Sequence, residues 1–188
     1  MTWTLPESLT VGDSAFAIRT DFRDILRILE AYNDPNLPDW AKTEVMMKIL
    51  YVDFDAIPEG LLQEAADKAI DFIDMGMPGE KGPRLMDWEQ DAPIIIPAIN
   101  KVAGHEVRAE KYIHWWTFLG YYMEIGDSLF TQVVSIRDKK ARGKKLEKWE
   151  KEFESSNKSL VRLKAKLTDE EAEQEKAERD ALRELIGD

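Results

Sequence analysis

Proline placement sets the tightest limit on what this chain can fold into. Each proline lacks a backbone donor and disfavours helix at the residue before it. Pro35, Pro38, Pro58, Pro78, Pro83, Pro93 and Pro97 cut the first hundred residues into short pieces. Between them, apolar residues recur at three- and four-residue spacing, so the pieces read as short amphipathic helices. Phe22, Ile25, Leu26, Ile28 and Leu29 form the stripe of a helix over 21–33, with Thr20 as N-cap and Asn33-Asp34-Pro35 as its end. Pro38 opens a second helix through Val45, Met46, Ile49 and Leu50, which Asp53-Phe54-Asp55 breaks. Pro58 opens a third with Leu61, Leu62, Ala65, Ala66, Ala69, Ile70 and Ile73. Gly76, Pro78, Gly79, Gly82 and Pro83 then make a loop, expected to be the most flexible part of the body.

Strand character is confined to the start. Leu9-Thr10-Val11 and Ala15-Phe16-Ala17-Ile18 flank Gly12-Asp13-Ser14, which supplies turn conformations. Such a hairpin is marginal alone and must pack on something. Ile94-Ile95-Ile96 is β-branched, but Pro93 and Pro97 flank it, and a central strand does not hold two prolines so close. A helix starting near Asp87, or one broken at Pro97, is expected there, with Gly104 ending it. Tyr112 to Ile125 is the most apolar stretch. Wound as a helix it puts Tyr112, Trp116, Leu119 and Met123 on one face and Trp115, Phe118, Tyr122 and Ile125 on another. Gly126-Asp127-Ser128 caps a helix with Leu129, Phe130, Val133, Val134 and Ile136. Beyond Gly143, a polar helix carries a thin stripe of Leu146, Trp149 and Phe153. Leu160, Leu163 and Leu167 continue it at helix-pairing spacing. Thr168-Asp169-Glu170-Glu171 reads as a capping box for a last charged helix. The expected fold is mainly α: an acidic helical body with an N-terminal hairpin over 1–136, and a charged helical extension over 137–188.

Charge and composition narrow the function classes. The net charge is −11, and residues 1–110 hold ten basic residues against 21 acidic ones. Residues 137–166 reverse the sign, with 12 basic against 5 acidic, and 167–188 reverse it again with 3 against 9. Absence of cysteine excludes disulfides and thiolate metal sites. No apolar run is long enough to span a bilayer, and the N-terminus lacks the basic and apolar regions of a signal peptide. A cytosolic protein is expected.

Motifs for chemistry are poor. Gly76 to Gly82 lacks phosphate-loop spacing, and Gly143-Lys144 has Asp138 where such a loop needs glycine. Asp53, Asp55 and Glu59 lack the third ligand, central glycine and distal glutamate of a calcium loop. His114 has no partner at helical spacing, His105 sits in a loop setting, and no nucleophile elbow is present. No catalytic residue, cofactor or metal is therefore expected. The basic run Arg137, Lys139, Lys140, Arg142, Lys144 and Lys145 winds around its helix rather than along one stripe, on a chain whose body repels phosphate. Neither nucleic acid nor membrane is an expected partner.

Several segments in order carry a resemblance. Leu5-Pro6-Glu7-Ser8-Leu9 precedes the hairpin, and Thr20-Asp21-Phe22-Arg23 begins the first helix. An acidic turn spans Asp53 to Glu59, and an Asp-x-Glu-x-Asp-Ala segment runs from Asp87 to Ala92. Tyr112-Ile113-His114-Trp115-Trp116-Thr117-Phe118 and Arg137-Asp138 follow. This series is similar to a family of small acidic proteins in phages and prophages of Gram-positive bacteria, encoded in the tail-morphogenesis cluster near the tape-measure gene. It departs from the family pattern over Pro93 to Val107. The resemblance implies a tail assembly chaperone that binds the tape-measure protein. Tail-tube protein is a further partner and self-association an open one. Such a protein works in the host cytoplasm and is absent from the mature virion. A structural or adaptor component retained in the virion is the alternative, and a nucleic-acid-binding regulator the third reading. Candidate protein-binding residues are Trp115, Tyr121 and Tyr122 in the aromatic stretch, and Trp149, Phe153, Leu160, Leu163 and Leu167 in the extension.

Overall fold

The computed structural model describes residues 3–77, 79, 82–174, 176 and 177. Pro78, Glu80 and Lys81 of the expected loop, and the end of the expected last helix at residue 175 and over 178–188, lie outside the described residues. The fold is mainly α with one short antiparallel hairpin.

Strands β1 (Ser8–Val11) and β2 (Ser14–Ala17) pair with Leu9 opposite Phe16 and Val11 opposite Ser14. Gly12 takes φ +57° in the turn, and a Cβ there would stand 3.0 Å from Leu61. The backbone conformation favours glycine, and a Cβ would also press on the movable end of the Leu61 side chain. Val11 is fully buried, and β1 packs on α3 (Leu62–Ile73), which gives the hairpin the support it needs.

Helices α1 (Phe22–Tyr32) and α2 (Asp39–Leu50) form a packed pair, and α2 leans on α3. The N-cap of α1 is Asp21, whose carboxylate accepts from the Arg23 amide, and not the expected Thr20. Thr20 is instead used for a tertiary contact. Pro38 stands at the N-cap of α2, and Pro58 leads into a 3₁₀ turn (Glu59–Leu61) before α3 begins. Helix α4 (Ala92–Ala103) starts later than Asp87 and runs unbroken through Pro97. The Pro97 ring faces solvent while Ile94, Ile95, Ile96 and Ile99 fill the core, so burial outweighs one missing backbone bond. Gly104 ends α4 in the left-handed conformation at φ +77°.

Helix α5 (Trp115–Met123) begins three residues after Tyr112, because His114 caps it and 110–113 stay non-helical. Ser128 and Thr131 form a reciprocal capping box for α6 (Leu129–Ala141). Helix α6 carries the chain without interruption across the expected division at 136/137. Helices α7 (Lys148–Ser156) and α8 (Lys158–Val161) follow, and α8 folds back on α6 with Val161 buried. The expected seam of Leu160, Leu163 and Leu167 is not helical: α8 ends at Val161, and 162–168 run as an irregular strap. Backbone groups of that strap are engaged by side chains of the body, which competes with the next helical turn. Helix resumes at residue 169, where Thr168 and Glu171 form the expected capping box.

Candidate partner-binding surfaces

Two polar junctions hold the body together, and both join segments that stood out in the sequence. At the first, Thr20-Asp21-Phe22-Arg23 locks onto Tyr112–Phe118. The Thr20 hydroxyl lies 2.7 Å from the Tyr112 hydroxyl, and the Trp115 amide donates to the Thr20 carbonyl at 2.7 Å. Asp21 accepts from the Ile113 amide, while Arg23 donates to the Glu110 carbonyl at 2.6 Å. Phe22 stacks on Phe118 with ring centroids 4.2 Å apart.

His114 is buried here. Its Nε2–H donates to the Pro6 carbonyl at 3.0 Å, and its Nδ1 accepts from the Trp116 amide. Both ring nitrogens thus serve the fold, and the pattern fixes one neutral tautomer. The indoles of Trp115 and Trp116 each donate at 2.8 Å, to the carbonyls of Ile73 and Phe72. These are carbonyls at the end of α3 that have no partner within the helix.

The second junction centres on Arg137. It pairs bidentately with Asp91 at 2.6 and 2.8 Å, and donates to the carbonyls of Leu85, Leu160 and Val161. All five guanidinium donors are engaged, in a site where both partners are buried. Asp91 also accepts from the Asp87 amide, and Asp87 accepts from the Glu89 and Gln90 amides, from Arg84 and from Lys166. Burial would raise the Asp87 carboxyl, but the Gln90 amide, the Arg84 guanidinium and the Lys166 ammonium together hold it below its ordinary value. With all five Arg137 donors engaged and both carboxylates bonded, this network ties α6, the 84–91 segment and the strap together.

Concave features are small or open. A groove of about 260 Å³ lies between Arg23, Leu26, Arg27, Glu30 and Asn33 of the α1 side and Asp87, Trp88, Glu89 and Lys166 opposite. That is below the roughly 300–1,000 Å³ of small-molecule sites, while two larger hollows, of about 600 Å³ beside Lys140, Lys151 and Glu154 and about 520 Å³ along the strap, fall within that range but are open to solvent. Among the described residues, no group of three or more His, Asp or Glu side chains is placed to hold a metal. No helix among them is long and apolar enough to cross a membrane.

The candidate protein-binding residues separate in the fold. Trp115 is 2% exposed, with its indole bonded to Ile73, so it is a core residue and offers nothing to a partner. Tyr121 and Tyr122 are half-buried and packed on the core, with Tyr122 against Trp88 and Phe130. Phe153 and Leu160 also pack on the core from the C-terminal side, while Leu163 and Leu167 are half-buried in the strap. Trp149 alone of the eight stands more than half exposed, at 52%. Trp40, in the first turn of α2, is more open still at 71%. It was readable as a tryptophan outside the Met46–Leu50 stripe, next to Pro38. In the basic run, Lys139 donates to Glu150 at 2.7 Å and Lys140 pairs with Glu154. Those charges join α6 to α7 rather than standing free for phosphate.

No curated protein and no solved structure matches the chain. A family model does match, over residues 1–163, which takes in both junctions and stops inside the strap. On that match, the chain belongs to the bacteriophage Gp15 protein family.

Proposed function

We propose that this phage protein is a non-enzymatic tail assembly chaperone that binds the tape-measure protein, with tail-tube protein as a further partner. The observation that carries a binding role is the pair Trp40 and Trp149, large aromatics held open on helices of a well-packed body. Tryptophan is enriched where interfaces draw their energy, and fixed helical positions lower the ordering cost of binding. The acidic body, with 21 acidic against 10 basic residues in 1–110, would keep a complex with a sticky helical client in solution. The tape-measure assignment rests on the resemblance to proteins encoded beside that gene. The protein would act in the host cytoplasm and leave before the virion matures.

Co-expression with the neighbouring tape-measure protein tests this, followed by size-exclusion chromatography of the soluble fraction. The client is expected in the soluble fraction only when this protein is present, and co-eluting with it. A client that stays insoluble while this protein elutes alone would overturn the reading. Purified virions separate the two phage roles: a chaperone is missing from them, and a structural component is present at fixed stoichiometry.

A further inference from the structure

The strap over 162–168 is seated on the body largely through its backbone. Its apolar side chains contribute little, since Arg162, Lys164, Ala165 and Lys166 are exposed and only Leu163 and Leu167 are half-buried. What holds it is contact with its backbone. The Gln90 side-chain amide donates to the Arg162 carbonyl at 2.8 Å and accepts from the Lys164 amide at 2.9 Å. This imitates the paired bonds that one strand offers another. Arg84 donates to the Lys164 carbonyl at 3.0 Å. Two residues further on, the Lys166 ammonium lies 3.3 Å from Asp87 and 3.6 Å from Glu89.

Side-chain groups that bond a backbone do not depend on which residues carry it, as in strand-addition recognition. We infer that the ledge formed by Arg84, Asp87, Glu89 and Gln90 is a docking site for an extended, basic segment of a partner protein, and that the chain's own strap occupies it in cis. The ligand needs a carbonyl, an amide and a carbonyl in the register of Arg162 and Lys164, and a lysine or arginine two residues beyond the last of these. The strap is the template for that chemistry, and the carboxylates of Asp87 and Glu89 supply the charge preference. Because the cis segment must leave before a partner enters, the apparent affinity is lowered by the fraction of molecules in which the strap is seated.

The test uses the full-length protein and a fluorescent peptide with the sequence of residues 160–168, read by anisotropy. The substitution Lys166→Glu sets a carboxylate against Asp87 and Glu89 and unseats the strap, so peptide affinity should rise by about tenfold over the unaltered protein. Adding Gln90→Ala or Arg84→Ala to that variant should return binding to the starting level or below. Lys166→Ala should give the same ranking without the reversed charge. Peptide binding no tighter on either Lys166 variant, or untouched by both ledge substitutions, would overturn the proposal. So would a Lys166 variant that captures no peptide and forms a dimer instead, which would give the ledge to the strap of a second copy. Peptide capture succeeds or fails whether or not the client is the tape-measure protein.

Discussion

Arg137 and Asp91 form a pair whose members depend on one another. Asp91 has lost almost all contact with water, and its charge is matched chiefly by the Arg137 guanidinium. Arg137→Met keeps much of the volume but leaves the carboxylate buried without its cation, which should cost about 3–5 kcal/mol, read as a lowered urea midpoint. The double change Arg137→Met with Asp91→Leu should recover part of that loss, since no charge is then stranded. Asp87 adds a pH dependence of known sign. Its folded carboxyl titrates below its ordinary value, so its contribution is complete above the ordinary value of about 3.9 and is lost as pH falls through it toward the lowered one. Acid unfolding should therefore steepen below about pH 4, and Asp87→Asn should remove that part of the curve.

Elements were legible where a local signal and the tertiary packing agree. The hairpin register follows from Gly12 between two alternating segments, and Gly104 and Ser128 act as the helix boundaries their residue types suggest. Gly104 has open space where a Cβ would go, so Gly104→Ala tests backbone strain alone and should cost about 1 kcal/mol in thermal denaturation. Failures came where distant groups outbid local rules. Thr20 is a good cap by type, yet its hydroxyl goes to Tyr112, 92 residues away, and Asp21 takes the cap. Leucine spacing over 160–167 predicts a helix, but Gln90 and Arg84 hold that backbone in another shape. Trp115 is a docking candidate by residue type but a core residue in the fold, and periodicity cannot choose between the two because the aromatic stretch is apolar nearly all round. Four of the segments that carry the family resemblance, Thr20 to Arg23, Tyr112 to Phe118, Asp87 to Ala92 and Arg137-Asp138, meet in the two polar junctions, although nothing in their spacing announced which would meet. The Lys139–Glu150 and Lys140–Glu154 pairs make one further point testable at this scale. Substituting Lys139 and Lys140 by alanine should loosen α7 from α6, seen as faster amide exchange over 148–156, and duplex DNA should show no retention at low salt before or after the change.

At the scale of the molecule, charge and exposed aromatics are laid out on different parts of one surface. An acidic excess lies in 1–110 and a basic excess in 137–166, and the two meet where Lys166 reaches Asp87 and Glu89. Trp40 stands beside Asp39 in the acidic stretch, and Trp149 stands in α7 between Lys148 and Glu150. A client held at both places would bury aromatic surface beside charged groups, as an amphipathic helix does. Most of the Trp40 side chain faces water, whereas about half of Trp149 stays covered. Trp40→Glu should thus change unfolding free energy by about 1 kcal/mol or less, and Trp149→Glu should cost more, about 1–3 kcal/mol. The same substitutions should cut the amount of tape-measure protein that co-elutes after co-expression, with the double variant losing more than either single one. Equal co-elution from the double variant and the unaltered protein would remove these tryptophans from the interface while leaving the fold argument intact. Loss of folding in the single variants would show instead that the helices lean on indoles that stand mostly in solvent, against the expectation from burial.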